Sequence, residues 1–282
     1  MKALAIFLAA SAQLFAQVHG SSPDQHQKYP DVHQIVRRSI ETTERNWAAR
    51  DRYLYTERDE DRRLDSDGKV KSHDIEISKI ILVDEVPFEQ LVERNGRAPS
   101  PEEQKKEAEK LDKLRRETRQ ERMARLREQK DNRSFIREVP DGFDFQLIGE
   151  EAVNGRPAYV LRATPRAGYL AHGKYGKLMS KVQGKLWVDK QDFGWVKVDG
   201  EVTQPFSMGL ILARVLSGSH ISMEQARFDD GTWMPKRIEI RASAKIFFVK
   251  SYDVNRILTY SDYQLPLSSS LASVENRRRV VE

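Results

Sequence analysis

Residues 143–163 read FDFQLIGEEAVNGRPAYVLRA. Phe143, Phe145 and Leu147 alternate with Asp144 and Gln146. That period of two is the mark of a strand with one buried face. Asn154-Gly155 follows, a pair that tolerates positive φ at both positions and so favours the tight turn of a hairpin. Ala158 to Ala163 then resumes an apolar, β-prone run. The unit is a hairpin, and the pattern repeats downstream. Val182–Asp189, Trp195–Val202, His220–Phe228, Trp233–Ala244 and Lys245–Tyr260 are further β segments, parted by turns at Lys190–Gly194 and Asp229-Asp230-Gly231. Consecutive strands with short turns predict an antiparallel meander. Between them, Met208–Leu216 is an apolar stretch, and residues 165–180 form a Gly- and Tyr-containing connection with room for a short helix.

The first half mixes helix and strand. Asp31 is placed to cap a helix running to about Arg50. Val32, Ile35, Val36, Ile40, Thr43 and Trp47 recur every three or four residues along it, an apolar stripe that packs on a sheet or takes a partner. Arg52–Arg58, Lys71–Val83 and Pro87–Arg94 read as strands, with turns at Asp67-Gly68 and Asn95-Gly96. Then the character changes. Ser100-Pro101-Glu102-Glu103 is a strong helix start, with a capping Ser, a Pro at the first position and a Glu to complete the box. From Glu102 to Asp131 there are 9 acidic and 11 basic residues. Ala108, Leu111, Leu114, Met123 and Leu126 make no continuous stripe, so residues 100–131 read as a solvated helix or helical hairpin rather than a coiled coil. Arg115, Arg116, Arg119, Arg122 and Arg125 cluster at helical spacing and offer a basic face to an acidic partner or anionic lipid. No internal repeat is present.

Composition bounds the function. The 282 residues are 39% hydrophobic and 32% charged, with 9% aromatics, so a packed core coexists with a very polar region. The net charge is +5, from 48 basic and 43 acidic residues that are mostly interleaved, a poor footprint for nucleic acid. The chain has no cysteine. Disulfides, thiolate metal sites, cysteine nucleophiles and an acylated lipobox are therefore excluded.

Catalytic motifs are missing. There is no P-loop, dinucleotide fingerprint or nucleophile elbow. His19, His26 and His33 fall in or near the start, and His73, His172 and His220 are single residues on separate segments. No paired metal motif results, and no cofactor or metal is expected. Asp65, Asp67, Asp189, Asp192, Asp229 and Asp230 sit near turns, where Asp bonds local backbone. The sequence leaves one enzymatic arrangement open, a facing carboxylate pair, but the expectation is a protein that is not an enzyme. The more informative residues are apolar. Trp187, Trp195, Phe206, Trp233, Phe247 and Phe248 lie on or beside the second-half strands, where they either fill a core or line a ligand cavity. The cavity candidates are Tyr159, Leu161, Trp187, Trp195, Phe206, Trp233 and Phe248.

Met1-Lys2 gives a positive start, and Ala3 to Ala10 is an apolar run followed by small residues. This is the pattern of a cleavable export signal. Cleavage after Ala16 fits the segment lengths; cleavage after Ala12 fits the small-x-small rule but leaves a very short apolar run. No segment reaches the roughly 20 apolar residues needed to span a bilayer, so the mature protein is expected to lack a transmembrane segment.

Three motifs carry a family resemblance. Asn154-Gly155-Arg156-Pro157-Ala158-Tyr159-Val160-Leu161 resembles the G-x-x-x-Y-x-L hairpin of lipoprotein carriers of the LolA/LolB-like superfamily. Gly184-Lys185-Leu186-Trp187-Val188-Asp189 resembles its G-x-L-W-I-D strand, and Asp230-Gly231-Thr232-Trp233-Met234-Pro235 its D-G-x-W-x-P hairpin. The resemblance spans roughly residues 31–264. It implies an incomplete antiparallel barrel, a half-barrel, wrapped around a helix, whose concave apolar face receives acyl chains in the periplasm. Related periplasmic proteins act as stress sensors. The charged helical insertion at 100–131 is a departure, and no position matches the carriers' lid-anchoring arginine.

The expected organisation is a signal peptide at 1–16, a flexible leader at 17–30, the half-barrel domain at 31–264 and a disordered tail at 265–282. The expected role is periplasmic binding of acyl chains or lipoproteins. The alternative is an envelope protein-interaction or stress-sensor module using the helix at 100–131. Nucleic acid is not an expected partner.

Overall fold

The computed structural model describes residues 31–65, 67–83, 86–169, 179–208, 213–246 and 250–266. The expected signal peptide, the leader, Phe247, Phe248, His172, the Leu210–Leu212 run and nearly all of the tail lie outside them.

Helix α1 spans Val32–Arg50, and the Asp31 carboxylate accepts the His33 amide at 3.0 Å to start it. Its buried stripe includes Ile35, Val36 and Ile40, with Ser39, Thr42, Thr43 and Asn46 between them. The buried hydroxyls are satisfied locally. Ser39 donates to the Val36 carbonyl at 2.7 Å and Thr43 to that of Ser39 at 2.9 Å. Three strands follow, β1 (Leu54–Leu64), β2 (Val70–Val83) and β3 (Val86–Arg94). Asn95 (φ 50°) and Gly96 (φ 77°) then turn the chain sharply back.

The charged insertion is two helices, α2 (Pro101–Arg115) and α3 (Arg119–Ser134). Thr118 makes a second capping box with Glu121, which ends one helix and starts the next. Helical structure continues past α3. A 3-10 turn at Phe135–Glu138 and a short α4 (Val139–Gly142) precede the first strand of the second half. Ile136 is buried there, and a proline occupies the first turn of α4, where its missing N–H costs nothing.

The second half contains β4 (Phe143–Val153), β5 (Arg156–Pro165), β6 (Val182–Asp189), β7 (Trp195–Val202), β8 (Phe206–Met208), β9 (Ala213–Val215), β10 (His220–Arg227), β11 (Trp233–Ile246) and β12 (Lys250–Gln264). The sheet order is β3-β2-β1-β12-β11-β10-β7-β6-β5-β4, all antiparallel, with β8 and β9 branching off β11. Two runs of sequential strands therefore meet where β1 pairs β12, from Leu54 opposite Gln264 to Leu64 opposite Asp253. The sheet stays open: its ends, β3 and β4, are not paired to each other.

Register builds the core. Leu147, Leu161, Leu186, Val198 and Met223 stand opposite one another across five strands. Ile35 and Val36 of α1 close over part of this row together with Tyr159, Val188 and Phe193. A fully buried side chain of this size contributes about 1.5–3 kcal/mol relative to exposure. The reverse face has its own cluster, Ala158, Val160, Trp187, Val196 and Trp233. There Gly194 lies flat against the Trp233 indole, and a methyl group at that position would overlap the ring.

Candidate functional site

At its far end α1 leaves the aliphatic core and covers a different surface. A cavity of about 270 Å³ lies under Trp47, Arg50 and Asp51. Its floor is Tyr53, Tyr55, Glu57 and Ile80; its walls include Met234, Pro235, Ile238, Tyr260 and Tyr263, with Pro87 and Arg133 at the side. Strand alternation explains most of the floor. Tyr55 and Glu57 are two apart on β1, Tyr55 pairs with Ile80, and Glu57 pairs with Tyr260. Tyr263 needs a further device, since it lies three residues from Tyr260. Between the pairs Thr56–Ser261 and Leu54–Gln264 the β12 strand carries one extra residue. Asp262 there takes a φ of 56°. This bulge turns Tyr263 to the same side as Tyr260.

The rings form a connected set. Tyr55 lies 6.0 Å from Tyr260 and 5.2 Å from Tyr263, and Phe228 lies 5.2 Å from Tyr263. Two hydroxyls are tied down. Tyr263 donates to the Pro235 carbonyl at 2.6 Å, and Tyr53 to Asp230 at 2.7 Å. Burial raises Tyr260 and Tyr263 well above the ordinary tyrosine range, so both stay neutral at physiological pH. Burial, aided by Glu89, also raises the Glu57 carboxyl. Arg133 spends its charge on Asp51 through two bonds of 2.8 and 2.7 Å while lying over Trp47. Burial lowers the pKa of Arg50. Among the described residues its guanidinium makes no hydrogen bond and no ion pair. No lining residue is a serine, threonine, lysine or histidine; the ionisable groups of the cavity are carboxylates, tyrosines and arginines. Its surfaces suit an apolar body with one charged contact.

A second, larger groove of about 550 Å³ separates α2 from β2 and β3. Four carboxylates, Glu76, Glu89, Glu107 and Glu117, face four cations there, Arg94, Lys110, Lys113 and Arg125. Arg94 bridges Glu76 and Glu103 at 2.6 Å each, and Arg125 bonds Glu117 at 2.9 Å. These charges answer one another and tether the helices.

The residues singled out from sequence are split between the two faces. Tyr159, Leu161 and Trp195 point towards α1, where the Trp195 indole donates to Ser39 at 3.0 Å. Trp187 and Trp233 lie on the reverse face; the Trp187 indole donates to Glu151 at 2.7 Å. Phe206 opens the small β8–β9 hairpin, and Phe248 falls outside the described residues. None of the six described candidates lines the 270 Å³ cavity. Asp65, Asp189, Asp192 and Asp230, at the turns, have structural partners. Asp189, fully buried, takes both arms of Arg156 at 2.7 and 2.9 Å and the amides of Gln191 and Asp192. These bonds hold its carboxyl well below the usual range against the opposing effect of burial. His73 bonds Glu60 and His220 bonds Asp199, on different strands. Among the described residues no three His, Asp or Glu side chains are grouped to hold a metal.

The fold is thus an open, half-barrel-like antiparallel sheet with a helix across one face. No protein-family model matches the chain, and no curated protein matches it. Solved structures similar to it include members of the LolA superfamily. An outer membrane lipoprotein-sorting protein domain from Vibrio parahaemolyticus matches at 10% identity and a TM-score of 0.30, over 83% of this chain and 94% of that one. A LolA superfamily protein from Nitrosomonas europaea matches at 13% identity and 0.30, over 85% and 95%. The MucA/MucB complex of Pseudomonas aeruginosa matches at 12% identity and 0.24, over 85% and 95%. Likeness at this level transfers no ligand and no partner. Among the described residues no helix is long and apolar enough to cross a membrane.

Proposed function

We propose that this chain is an exported, periplasmic, carrier-like protein that binds an acyl chain or the acyl group of a lipoprotein and is not an enzyme. The supporting observation is the cavity between the last turn of α1 and the tyrosine rings of β1 and β12. Its body is aromatic and aliphatic, and each methylene buried there contributes about 0.8 kcal/mol. The Tyr263 and Tyr53 hydroxyl bonds hold the rings in place before any ligand arrives. Native mass spectrometry of the purified protein, with lipid extraction and added acyl lipids, tests the reading. One bound acyl species per chain is expected. A chain that binds no acyl compound at all removes it.

A second reading has its own observation. Arg115, Arg119, Arg127 and Lys130 form no ion pair among the described residues, and Met123 and Leu126 of α3 are exposed. This surface fits an acidic envelope protein. Reversing Arg119, Arg127 and Lys130 to Glu would abolish capture of such a partner from envelope extract; unchanged capture removes the second reading.

A further inference from the structure

Three of the described arginines near the cavity and the core have counter-ions. Arg133 has Asp51, Arg156 has Asp189 and Arg256 has Asp59. Arg50 differs. It lines the cavity, is half-buried there, and has no hydrogen bond or ion pair among the described residues. The two carboxylates beside it are poor partners. Asp51 already takes two nitrogens of Arg133. Glu57 lies in an environment that disfavours its charge.

Its place at the end of a helix is no substitute for a partner. The dipole favours a cation there, but the last-turn carbonyls already accept backbone amides: Trp47 from Asp51, Ala49 from Arg52, and Arg50 itself from Tyr53. A half-buried guanidinium stays charged, and a facing anion in the cavity would interact with it more strongly than one in open water. The same five donors match a carboxylate or phosphate in fork geometry.

We propose that Arg50 is the anion anchor of this cavity, which takes a small acidic amphiphile. A carboxylate or phosphate head sits on the Arg50 fork, and a short alkyl body lies against Tyr55, Tyr260, Ile80, Met234 and Ile238. This rests on the ligand-binding reading above and names the ligand class for the same site.

Calorimetric titration of the purified protein at neutral pH with decanoate, decyl phosphate, 1-decanol and inorganic phosphate tests it. Decanoate or decyl phosphate is expected to bind at least about tenfold tighter than decanol, and inorganic phosphate alone far more weakly. Arg50→Met should lose about tenfold or more for the acidic ligands while decanol stays within about twofold, and Arg50→Lys should fall between. Retained decanol binding shows that each variant still forms the cavity. Equal affinity for decanol and decanoate in the unaltered protein overturns the anchor and leaves the carrier reading standing. Equal loss of both in Arg50→Met and Arg50→Lys also overturns it, since Arg50 then only supports the walls. Inorganic phosphate binding as tightly as decyl phosphate overturns the amphiphile. No binding of any of the ten-carbon compounds overturns both readings of this cavity.

Discussion

The two ends of α1 lie on the same face of the same sheet and meet different surfaces. At the N-terminal end Ile35 and Val36 sink among Leu161, Leu186 and Val188, aliphatic side chains that are themselves almost wholly buried. At the C-terminal end Trp47 and Arg50 sit over Tyr53, Tyr55, Tyr260 and Tyr263, and about 270 Å³ stays open. Both ends are apolar enough to hold the helix down. What differs is shape and tethering. Branched aliphatic groups pack against one another at high density. The tyrosine rings cannot, because hydroxyl bonds to Pro235 and Asp230 fix two of them at their tips. One end of the helix is therefore closely buried, and the other leaves the room on which the binding proposal rests.

The strongest way to break this contrast is at the filled end. Leu161 is fully buried, so Leu161→Ala is expected to cost about 2–5 kcal/mol in denaturant unfolding. Ile238→Ala at the open end removes a half-buried side chain beside existing space and should cost about 1–2 kcal/mol. Equal costs would mean that the two ends are packed alike. Next comes the β6–β7 turn, whose Asp192 carbonyl accepts the Thr42 hydroxyl of α1 at 3.0 Å. Asp189 organises that turn, and Arg156 is partly exposed. Asp189→Ala should therefore cost about 3 kcal/mol, the low end for breaking a buried pair, read from the unfolding midpoint.

A smaller effect, set by pH, concerns the reverse of the open end. There Glu60 of β1 bonds Arg58 at 2.6 Å and His73 at 2.9 Å, and pairs with Arg62. The Arg58 bond is the main cause that lowers its pKa to about 2, from 4.5. A depressed carboxylate contributes stability above its unfolded value and loses it as pH falls through the folded one. Wild-type melting temperature should thus drop between about pH 4.5 and about pH 2, and Glu60→Gln should flatten that limb. An unchanged acid limb would remove Glu60 from the account. The smallest effect is outside the contrast altogether. Thr118→Ala should cost α3 about 1 kcal/mol of local stability, visible as faster amide exchange at Glu121, with no change at either end of α1.

Much of the fold was legible because its signals are local. Asp31 as a cap, the stripe to Trp47, and the bounds of β6 and β7 all follow from neighbours within a few residues. The split at Thr118 was legible too, since Thr118 and Glu121 have the capping-box spacing, but the surrounding charge masked it. The pairing of β1 with β12 joins residues nearly two hundred apart in the chain, and no local pattern encodes it. The cavity shares that difficulty. Tyr53 and Tyr55 read only as strand formers, and Arg50 as the polar end of a helix. Tyr260 and Tyr263 lack the two-residue spacing of a common face until the bulge at Asp262 supplies it. Trp187 and Trp233, more conspicuous by size, fill the reverse cluster instead.

The β1–β12 seam also has a consequence in time. Strand β1 is among the first segments of the domain to be made and β12 the last of its strands. Until Lys250–Gln264 exists, the two strand runs have no seam to share. Tyr260 and Tyr263 are likewise absent, so the end of α1 has only half a floor. Closing a loop of that length is slow relative to forming a hairpin. A chain that lacks Lys250–Gln264 therefore has a divided sheet and no complete cavity, so the chamber depends on the last strand of the domain.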